Sequence, residues 1–285
     1  RNRKGAIKQY QIVQRYSKEY PISILCKMFE VSRSGYYVWL KRKDKDEKLA
    51  GWIKQCQEET GQTYGYRRVK MWIMREKGQN VNHKAIIRVA RKYKLQAVIR
   101  RSQPNFRYGK PSHKYPNILN RKFDASEPNK KWVTDITYIP TGRGFVYMAA
   151  VMDLYDNYIV DYSIARDQTA SLVTDTIGRA CKNEKFANGL ILHSDQGTQY
   201  TSHAYKALSE EHSFLPSMSR AGNPYDNAVM ENFFGILKTE CLYRTSLRNF
   251  DEAEEIVNKY VTFYNYRRLK LKTSMTPYEK RCMAQ

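Results

Sequence analysis

The feature of this 285-residue sequence that most constrains its fold is a change of pattern near residue 131. Before it, apolar residues recur at helical spacing, and after it they alternate with polar residues as in strands. The charge changes in the same region: residues 1–125 hold 31 Lys and Arg against 9 Asp and Glu, whereas residues 126–285 hold 19 of each. The whole net charge of +22 therefore lies in the first part. We predict a basic helical half joined to a neutral α/β half.

The charge and the apolar runs narrow the classes of partner. A net charge of +22 favours a polyanion, either nucleic acid or an anionic membrane. The longest apolar run, residues 145–152, has eight residues, whereas a membrane-spanning helix needs about 20. We therefore expect nucleic acid as the partner and no membrane. Five scattered cysteines without a CxxC pair fit a reducing cytosol and disfavour a disulfide framework or a zinc finger.

The start of the basic half predicts a helix-turn-helix. Residues 22–30 and 33–41 are its two short helices, and Ser32 is placed to cap the second of them. A helix over residues 6–20 precedes this pair, and another over residues 44–60 follows it.

A second helix-turn-helix is predicted from a helix over residues 66–77, which ends at Gly78, and a helix over residues 83–93, which Asn82 caps. The apolar stripe of the later helix is Ile86, Ile87 and Ala90. Its other face carries four cations, Lys84, Arg88, Arg91 and Lys92. Such a helix suits a major groove lined by phosphates, although any small helical domain also has charged outer faces.

Residues 102–130 lose periodicity and contain several Pro and Gly breakers, which predicts an extended basic linker. The linker either lies along DNA or is simply solvated. The predicted domains are a first helix-turn-helix at 1–60, a second at 61–101, the linker at 102–130, an α/β domain at 131–245, and a C-terminal helix with a basic tail at 246–285. The cations expected to contact DNA are Arg33, Arg67, Arg68, Lys84, Arg88, Arg91, Lys92, Arg107 and Lys110.

The neutral half predicts an α/β layer with a mixed sheet. Three strands joined by short turns, at 132–139, 145–153 and 158–165, form an antiparallel meander. The elements expected after them are a helix at 170–181, a strand at 189–193, a helix at 202–212, a strand at 214–218, and helices at 226–241 and 250–267.

Three acidic residues stand at informative positions in this layer. Asp135 lies inside an apolar strand, where a carboxylate is costly unless it is used or paired. Asp195 directly follows another apolar strand, at the end where α/β sheets place their ligands. Glu231 lies one turn into a helix, and the three could together hold a hard divalent cation. Other acids that could compete, or serve only as turns and caps, are Asp153, Asp156, Asp161, Asp167 and Asp226.

Three segments carry a family resemblance: WVTDITYI at 132–139, HSDQGTQY at 193–200, and MSRAGNPYDNAVMENFFGILKTE at 218–240. They resemble the integrase core of bacterial insertion-sequence transposases, and most closely the protein from the second reading frame of the IS-three group. Between Asp195 and Glu231 lie 35 residues, the spacing of the D,D-35-E class shared with retroviral integrases, and Lys238 follows where that class carries a basic residue. The segment TYGYRRVK at 63–70 with NHKAIIRV at 82–89 resembles the group's helix-turn-helix, and residues 260–280 resemble its C-terminal end.

The resemblance implies an RNase H-like catalytic core in which Asp135, Asp195 and Glu231 hold two Mg²⁺, with Mn²⁺ as a substitute. It implies that Lys238 contacts DNA near the cleaved end. The implied activity is that of a transposase, which binds terminal inverted repeats, cleaves the 3′ end and joins it to target DNA. The implied partners are double-stranded DNA, further copies of the chain, and an upstream-frame protein or fusion, in the bacterial cytoplasm.

Three other functions stay open at this point: a DNA-binding regulator, a simple RNase H-like nuclease, and a transposase-derived protein without activity. Labelled terminal-repeat DNA with Mg²⁺ separates them from a transposase through binding alone, hydrolysis alone or joined product.

Overall fold

The computed structural model describes residues 3–98, 115–186, 189–220 and 223–284. The chain divides into two compact units, residues 1–98 and residues 99–285. Within the described ranges, no helix combines the length and apolar character that crossing a membrane requires. Arg107 and Lys110 lie outside the described residues.

All the regular secondary structure in the described residues of the N-terminal unit is α-helix, joined by turns and loops. Its helices are α1 (Arg3–Tyr16), α2 (Ile22–Met28), α3 (Arg33–Glu59), α4 (Tyr66–Lys77) and α5 (His83–Lys92). The sequence-predicted caps are confirmed: the Ser32 side chain accepts a hydrogen bond from the Gly35 N–H at 3.2 Å, and the Asn82 side chain accepts one from the Lys84 N–H at 2.9 Å. Gly78 ends α4 in the left-handed conformation, with φ of +63°, which a residue without Cβ adopts readily.

The prediction of two helices at 33–41 and 44–60 is wrong, because α3 runs unbroken from Arg33 to Glu59. The junction between the two predicted helices consists of good helix formers, Lys41, Arg42 and Lys43. It contains no Gly or Pro that would interrupt the backbone hydrogen bonds of the helix. The helix also serves two cores. Its first turns supply Tyr36 to a cluster with α1 and α2, while α4 and α5 pack against its second half.

The second unit is built on a mixed five-stranded sheet. Its strands are β1 (Lys131–Thr141), β2 (Gly144–Asp153), β3 (Ile159–Ala165), β4 (Ile191–Ser194) and β5 (Leu215–Met218). Their order is β3-β2-β1-β4-β5. The first three strands pair antiparallel, and β4 and β5 add in parallel. The predicted meander and α/β layer are therefore confirmed.

Helices cover both faces of this sheet. They are α6 (Ala170–Asn183), α7 (His203–Glu211), α8 (Ala228–Glu240), α9 (Phe250–Tyr266) and α10 (Pro277–Cys282). Alternate residues of β1 enter different cores: Val133 packs with α8 and α9, whereas Trp132 packs with α6 and α7. This two-sided burial explains why the central strand is almost wholly apolar apart from its threonines and Asp135.

The short helix α10 was not predicted, and it brings Arg281 into a buried ionic cluster. One guanidinium nitrogen donates to Asp156 at 2.9 Å and to Asp153 at 3.2 Å, and the other donates to Asn129 and Glu184 at 2.8 Å each. Both aspartates are fully buried at the end of β2 and in the turn after it. Burial raises the pKa of Asp156 to about 6, and the Arg281 charge opposes that rise. The cluster fixes α10 against the sheet.

We expect Arg281→Met to lower the free energy of unfolding of this unit by about 3–5 kcal/mol, because it strands two buried carboxyl groups without their cation. Urea-induced unfolding measures the change. Arg248→Met is the matched control, because Arg248 pairs with Glu252 on the surface with 83% of its side chain exposed, where such pairs contribute about 0–1 kcal/mol. Equal effects of the two substitutions would contradict a structural role for the cluster.

Candidate active site

The strand register brings Asp135 and Asp195 to the same level of the sheet. In the parallel pair of β1 and β4, Lys131 faces Ile191 and Val133 faces His193. Continuing that register by two residues sets Asp195, which directly follows β4, beside Asp135. Both residues thus lie just beyond the last paired residues of β1 and β4, at the end of the pairing towards which the two parallel strands run.

Glu231 approaches from the helix above them. It lies in the first turn of α8, and α8 packs against β1. A single 3₁₀ turn, Pro224–Asn227, leads into this helix, and the Asn223 side chain accepts a hydrogen bond from the Tyr225 N–H at 3.2 Å. The start of α8 is therefore held in place, which limits where Glu231 can go.

The three carboxyl groups are close enough to affect one another's titration. Burial raises the pKa of Asp135 well above its usual value, and the charges of Asp195 and Glu231 raise it further, while Lys238 opposes them. Burial also raises the pKa of Asp195, against a hydrogen bond from the Gly197 N–H. The pKa of Glu231 is raised by burial and by Asp195. Each group therefore holds its proton more tightly than a solvated carboxyl does.

The distances among the acidic side chains bear on whether they form a complete metal site. Among the described residues, no three His, Cys, Asp or Glu side chains are grouped tightly enough to hold a metal ion. Asp135 accepts a hydrogen bond from the Ile136 N–H at 2.8 Å, and Asp195 accepts one from the Gly197 N–H at 2.9 Å. The trio thus shares one electrostatic environment without forming a closed set of ligands.

Ion pairing distinguishes this trio from the acids that competed with it in the sequence. No Lys, Arg or His nitrogen of the described residues lies within 4 Å of Asp135, Asp195 or Glu231. Four of the competing aspartates are paired with arginine: Asp153 and Asp156 with Arg281, Asp161 with Arg179, and Asp226 with Arg121 and Arg220. Hard cations bind anionic oxygens, so the lack of an ion pair leaves the oxygens of the trio free for a cation, whereas those of the four paired aspartates are occupied.

Asp226 has a role that sequence reasoning missed. The buried carboxylate accepts hydrogen bonds from Arg220 Nε and Nη2 at 2.8 Å each, from Arg121 Nε at 2.7 Å and from Asn117 Nδ2 at 3.0 Å. It therefore ties residues 117–121 to the turn that precedes α8, instead of acting as a helix cap. The arginine bonds hold the pKa of Asp226 well below its usual range. This stabilisation is complete above the ordinary Asp pKa of about 3.9 and is lost only as the pH falls below it.

Asn227, rather than Asp226, occupies the N-cap position of α8, and its side chain makes no cap hydrogen bond. Its amide nitrogen donates to the Thr134 carbonyl at 3.4 Å, next to Asp135 in β1. The Asn227 side-chain oxygen is buried without a partner among the described residues. Gly222 of the same loop lies outside the described residues.

Most of the cations expected to contact DNA are on the surface of the N-terminal unit. Those that are exposed are Arg33, Arg67, Lys84, Arg88, Arg91 and Lys92, while Arg68 is half-buried. The predicted apolar stripe of α5 needs one correction. Ile86 and Val89 are the buried residues, whereas Ile87 lines a surface groove together with the four cations of the helix.

Two of the α5 cations are held by an acid on α3. Arg88 makes a two-point contact with Asp46, at 2.6 and 2.7 Å, and Lys92 lies 3.3 Å from the same carboxylate. The Arg88 hydrogen bond is the main reason that the pKa of Asp46 is lowered. Lys84 and Arg91 form no ion pair with a described residue. They are therefore the α5 cations most available to a phosphate.

Comparison with known proteins gives consistent matches along the chain. Residues 125–224 and 231–284 each match an Integrase core domain, and residues 43–103 match an HTH-like domain. The chain is 38% identical to the InsK protein of insertion sequence element IS150 from Escherichia coli K12, over 92% of this chain and 94% of that protein. It is 33% identical to the transposase InsF for insertion sequence IS3A of the same organism, over 82% and 84% of the two chains.

Solved structures give weaker matches. The intasome of simian T-cell lymphotropic virus in complex with the PP2A regulatory subunit B56 gamma aligns with a TM-score of 0.49 and 14% identity, over 80% of this chain and 74% of that one. The trimeric form of the HTLV-2 integrase catalytic core domain in complex with magnesium aligns with a TM-score of 0.45 and 15% identity, over 55% and 98% of the two chains.

We expect Asp226→Asn to lower the free energy of unfolding by about 1.5–3 kcal/mol, because an amide cannot reproduce the charge-assisted bonds to two arginines. Urea-induced unfolding measures this loss, and trypsin should cleave faster after Arg121 and Arg220. Asp167→Asn is the control, because Asp167 is an exposed acid near the start of α6 and surface changes usually stay within about 0.5 kcal/mol. Unchanged trypsin cleavage in Asp226→Asn would contradict the tie between the two segments.

Proposed function

This chain belongs to the transposases of bacterial insertion sequences, and we propose that it acts on the ends of such an element with Asp135, Asp195 and Glu231 as its metal ligands. It is an enzyme of the polynucleotidyl transferase type, with a helix-turn-helix region before an integrase core. The observation that carries the proposal for the site is that the β1–β4 register and the packing of α8 on β1 bring three carboxylates from separate elements together, and that these form no ion pair with a described residue.

The oxygen-only donor set suits Mg²⁺, with Mn²⁺ as a substitute. Asp135, Asp195 and Glu231 would hold two such ions, and the bound cations would supply Lewis-acid chemistry for the attacking and leaving oxygens. The chain contributes the positions of the oxygens. The rigid central strand fixes Asp135, the Gly197 N–H orients Asp195, and the packed first turn of α8 presents Glu231.

Lys238 is the proposed contact for the DNA strand beside these carboxylates. It lies two helical turns after Glu231 on α8, and its Nζ is 4.3 Å from the centre of the Tyr138 ring. Burial lowers the pKa of Lys238, and Asp135 partly offsets this effect. A lysine held over a ring and close to the trio can bind a phosphate next to the one that reacts.

The proposed reaction has two stages. Water first releases a 3′-OH at the end of the element, and this hydroxyl then attacks another phosphodiester, at the opposite end of the element and later in a target. No covalent bond to the enzyme is needed. The side chains therefore bind, orient and neutralise charge instead of acting as nucleophiles.

The N-terminal unit is the part of the chain that we propose binds the terminal inverted repeats. We place α5 in the major groove as the recognition helix of the second helix-turn-helix. Lys84 and Arg91 would contact phosphates directly, and Asp46 would hold Arg88 in position. The remaining proposed contacts are Arg33, Arg67, Arg68 and Lys92, with Arg107 and Lys110 in the linker.

Two DNA ends must be held together for joining, so we propose at least a homodimer on DNA. An upstream-frame protein or fusion is the proposed further partner. The protein would act in the bacterial cytoplasm, bound to DNA.

We expect Asp135→Asn, Asp195→Asn and Glu231→Gln each to abolish both 3′-end cleavage and joining while repeat binding survives, because each removes one anionic metal ligand. Labelled duplexes ending in the element's own terminal repeats, incubated with Mg²⁺, measure all three steps. Asp167→Asn serves as the matched control and should retain full activity. A variant of the trio with near-normal joining would remove that residue from the site, and wild-type hydrolysis without joining would indicate a simple nuclease.

We also expect Lys84→Ala and Arg91→Ala to weaken binding to every DNA sequence by similar factors. Each should reduce the slope of log affinity against log salt by about 1, because one phosphate contact is lost. Lys54→Ala is the control, since Lys54 is an exposed α3 lysine that faces Glu58. A slope unchanged in both α5 variants would argue against placing α5 on the phosphates.

A further inference from the structure

The tip of the β1–β2 hairpin extends beyond the rest of the sheet. β1 pairs with β4 only over Lys131–Val133, and β3 pairs with β2 only as far as Tyr147, which faces Tyr138. Residues 139–141 of β1 and 144–146 of β2 therefore form a two-stranded ribbon beyond that level. An isolated ribbon of this kind is only marginally stable, so its conformation depends on support from elsewhere.

That support comes from the segment between α8 and α9. The Gly142 N–H at the tip of the hairpin donates to the Leu247 carbonyl at 2.8 Å. A Cβ at Gly142 would lie 3.3 Å from the Arg248 carbonyl oxygen, so only glycine allows this close approach without a shift. The ribbon is therefore anchored at its tip as well as at its base, and side chains along it hold fixed positions.

Three aromatic side chains, Tyr138, Phe145 and Tyr243, form an exposed aromatic patch on this ribbon and beside it. They are 38%, 57% and 47% exposed, respectively. The rings of Tyr138 and Phe145 meet edge to face with centroids 5.6 Å apart. Tyr243, in the turn after α8, lies near Tyr138, which adds to the rise that burial causes in its pKa. Single exposed aromatics are ordinary, whereas a group at the edge of a catalytic site calls for a ligand.

The side chains of the patch and its neighbouring lysine indicate the chemical class of that ligand. Aromatic faces together with a lysine are the combination that binds single-stranded nucleic acid, because every base has a face that can stack and every phosphate a charge that Lys can meet. Here the lysine is Lys238, over the Tyr138 ring. A paired base inside a duplex has no free face, so the ligand has to be an unpaired or unstacked base.

Lys238 connects the patch to the proposed site. It lies on α8 seven residues after Glu231, which is about 10 Å along the helix, and its Nζ is 4.3 Å from the centre of the Tyr138 ring. A base splayed from the strand near the cleaved position can therefore reach the patch while its phosphate stays by the carboxylates.

We propose that Tyr138, Phe145 and Tyr243 form a stacking site for one unpaired nucleobase close to the reacting phosphate. The inference rests on the proposed function, since it assumes that DNA is processed at Asp135. The base belongs either to the end of the element or to the target strand, and both sources offer the same face to the rings.

A substitution series at Phe145 separates stacking from simple apolar packing. Phe145→Leu keeps an apolar side chain but has no aromatic face, and it should slow joining by about 5- to 150-fold. Phe145→Trp should keep joining near the wild-type rate. Tyr278→Leu, at an exposed tyrosine of α10, is the control and should leave joining unchanged. Equal rates for the Leu and Trp variants would overturn the proposal.

A fluorescent base measures stacking without activity. In the Glu231→Gln background, 2-aminopurine is placed at each of the three nucleotides beside the cleaved position, in the element end or in the target strand. We expect binding to quench its emission at one position in one of the two DNAs, and the added Phe145→Leu change to remove the quenching. Absence of quenching in both DNAs, or a change only in the oligomeric state of Phe145→Leu, would overturn the proposal.

Failure of the proposed function gives a different result, because the Asp135, Asp195 and Glu231 variants would then keep their joining activity. Replacing the quenched base by an abasic site should slow wild-type joining to the rate of Phe145→Leu, with little further loss when both changes are combined. Additive losses would show that ring and base do not meet and would also overturn the proposal.

Discussion

The placing of three carboxylates close together is the constraint on which the second unit depends. Burial raises the pKa of Asp135, Asp195 and Glu231, and the charge of Asp195 adds to the rise at the other two. No cation of the described residues forms an ion pair with them. Such a cluster persists only if each backbone position is fixed by something else. Pairing of β1 with β4 fixes the first two residues, and packing of α8 against β1 fixes the third. The rest of the sheet and its helices give these three positions their rigidity.

The acids of the protein divide into two groups by their partners. Asp46, Asp153 and Asp156 are buried and bound to arginines, and they join elements that are distant in sequence. Among the described residues, the trio has no such partner. Arginine satisfies a carboxylate with two fixed donors, so an acid paired in this way is unavailable to a metal. The difference in pairing therefore supports the proposed role of the trio.

Local signals made much of the fold predictable. The caps at Ser32 and Asn82 and the alternation along β1 depend on neighbouring residues, and each was predicted at its observed position. Contacts between distant residues were not predictable. Arg281 binds Asp153 across 128 positions, and Arg121 binds Asp226 across 105. Arg88 likewise found its partner 42 residues away, on α3. The role of the trio was predicted from its motif and spacing, because propensity and pattern assign no chemistry to an acid at the end of a strand, and it stays a prediction.

The unbroken α3 fixes the distance between two helical cores of the N-terminal unit. Tyr36 belongs to the first helical core, and Ile53, on the same helix, is buried 17 residues later. At 1.5 Å per residue these points are about 26 Å apart along a rod that cannot bend sharply without a break in its ladder. The helix therefore fixes the distance between the two cores. If both of the predicted helix-turn-helix regions bind DNA, they have to meet the double helix in a fixed rotational phase, and base pairs inserted between their sites would turn one site away from its helix-turn-helix.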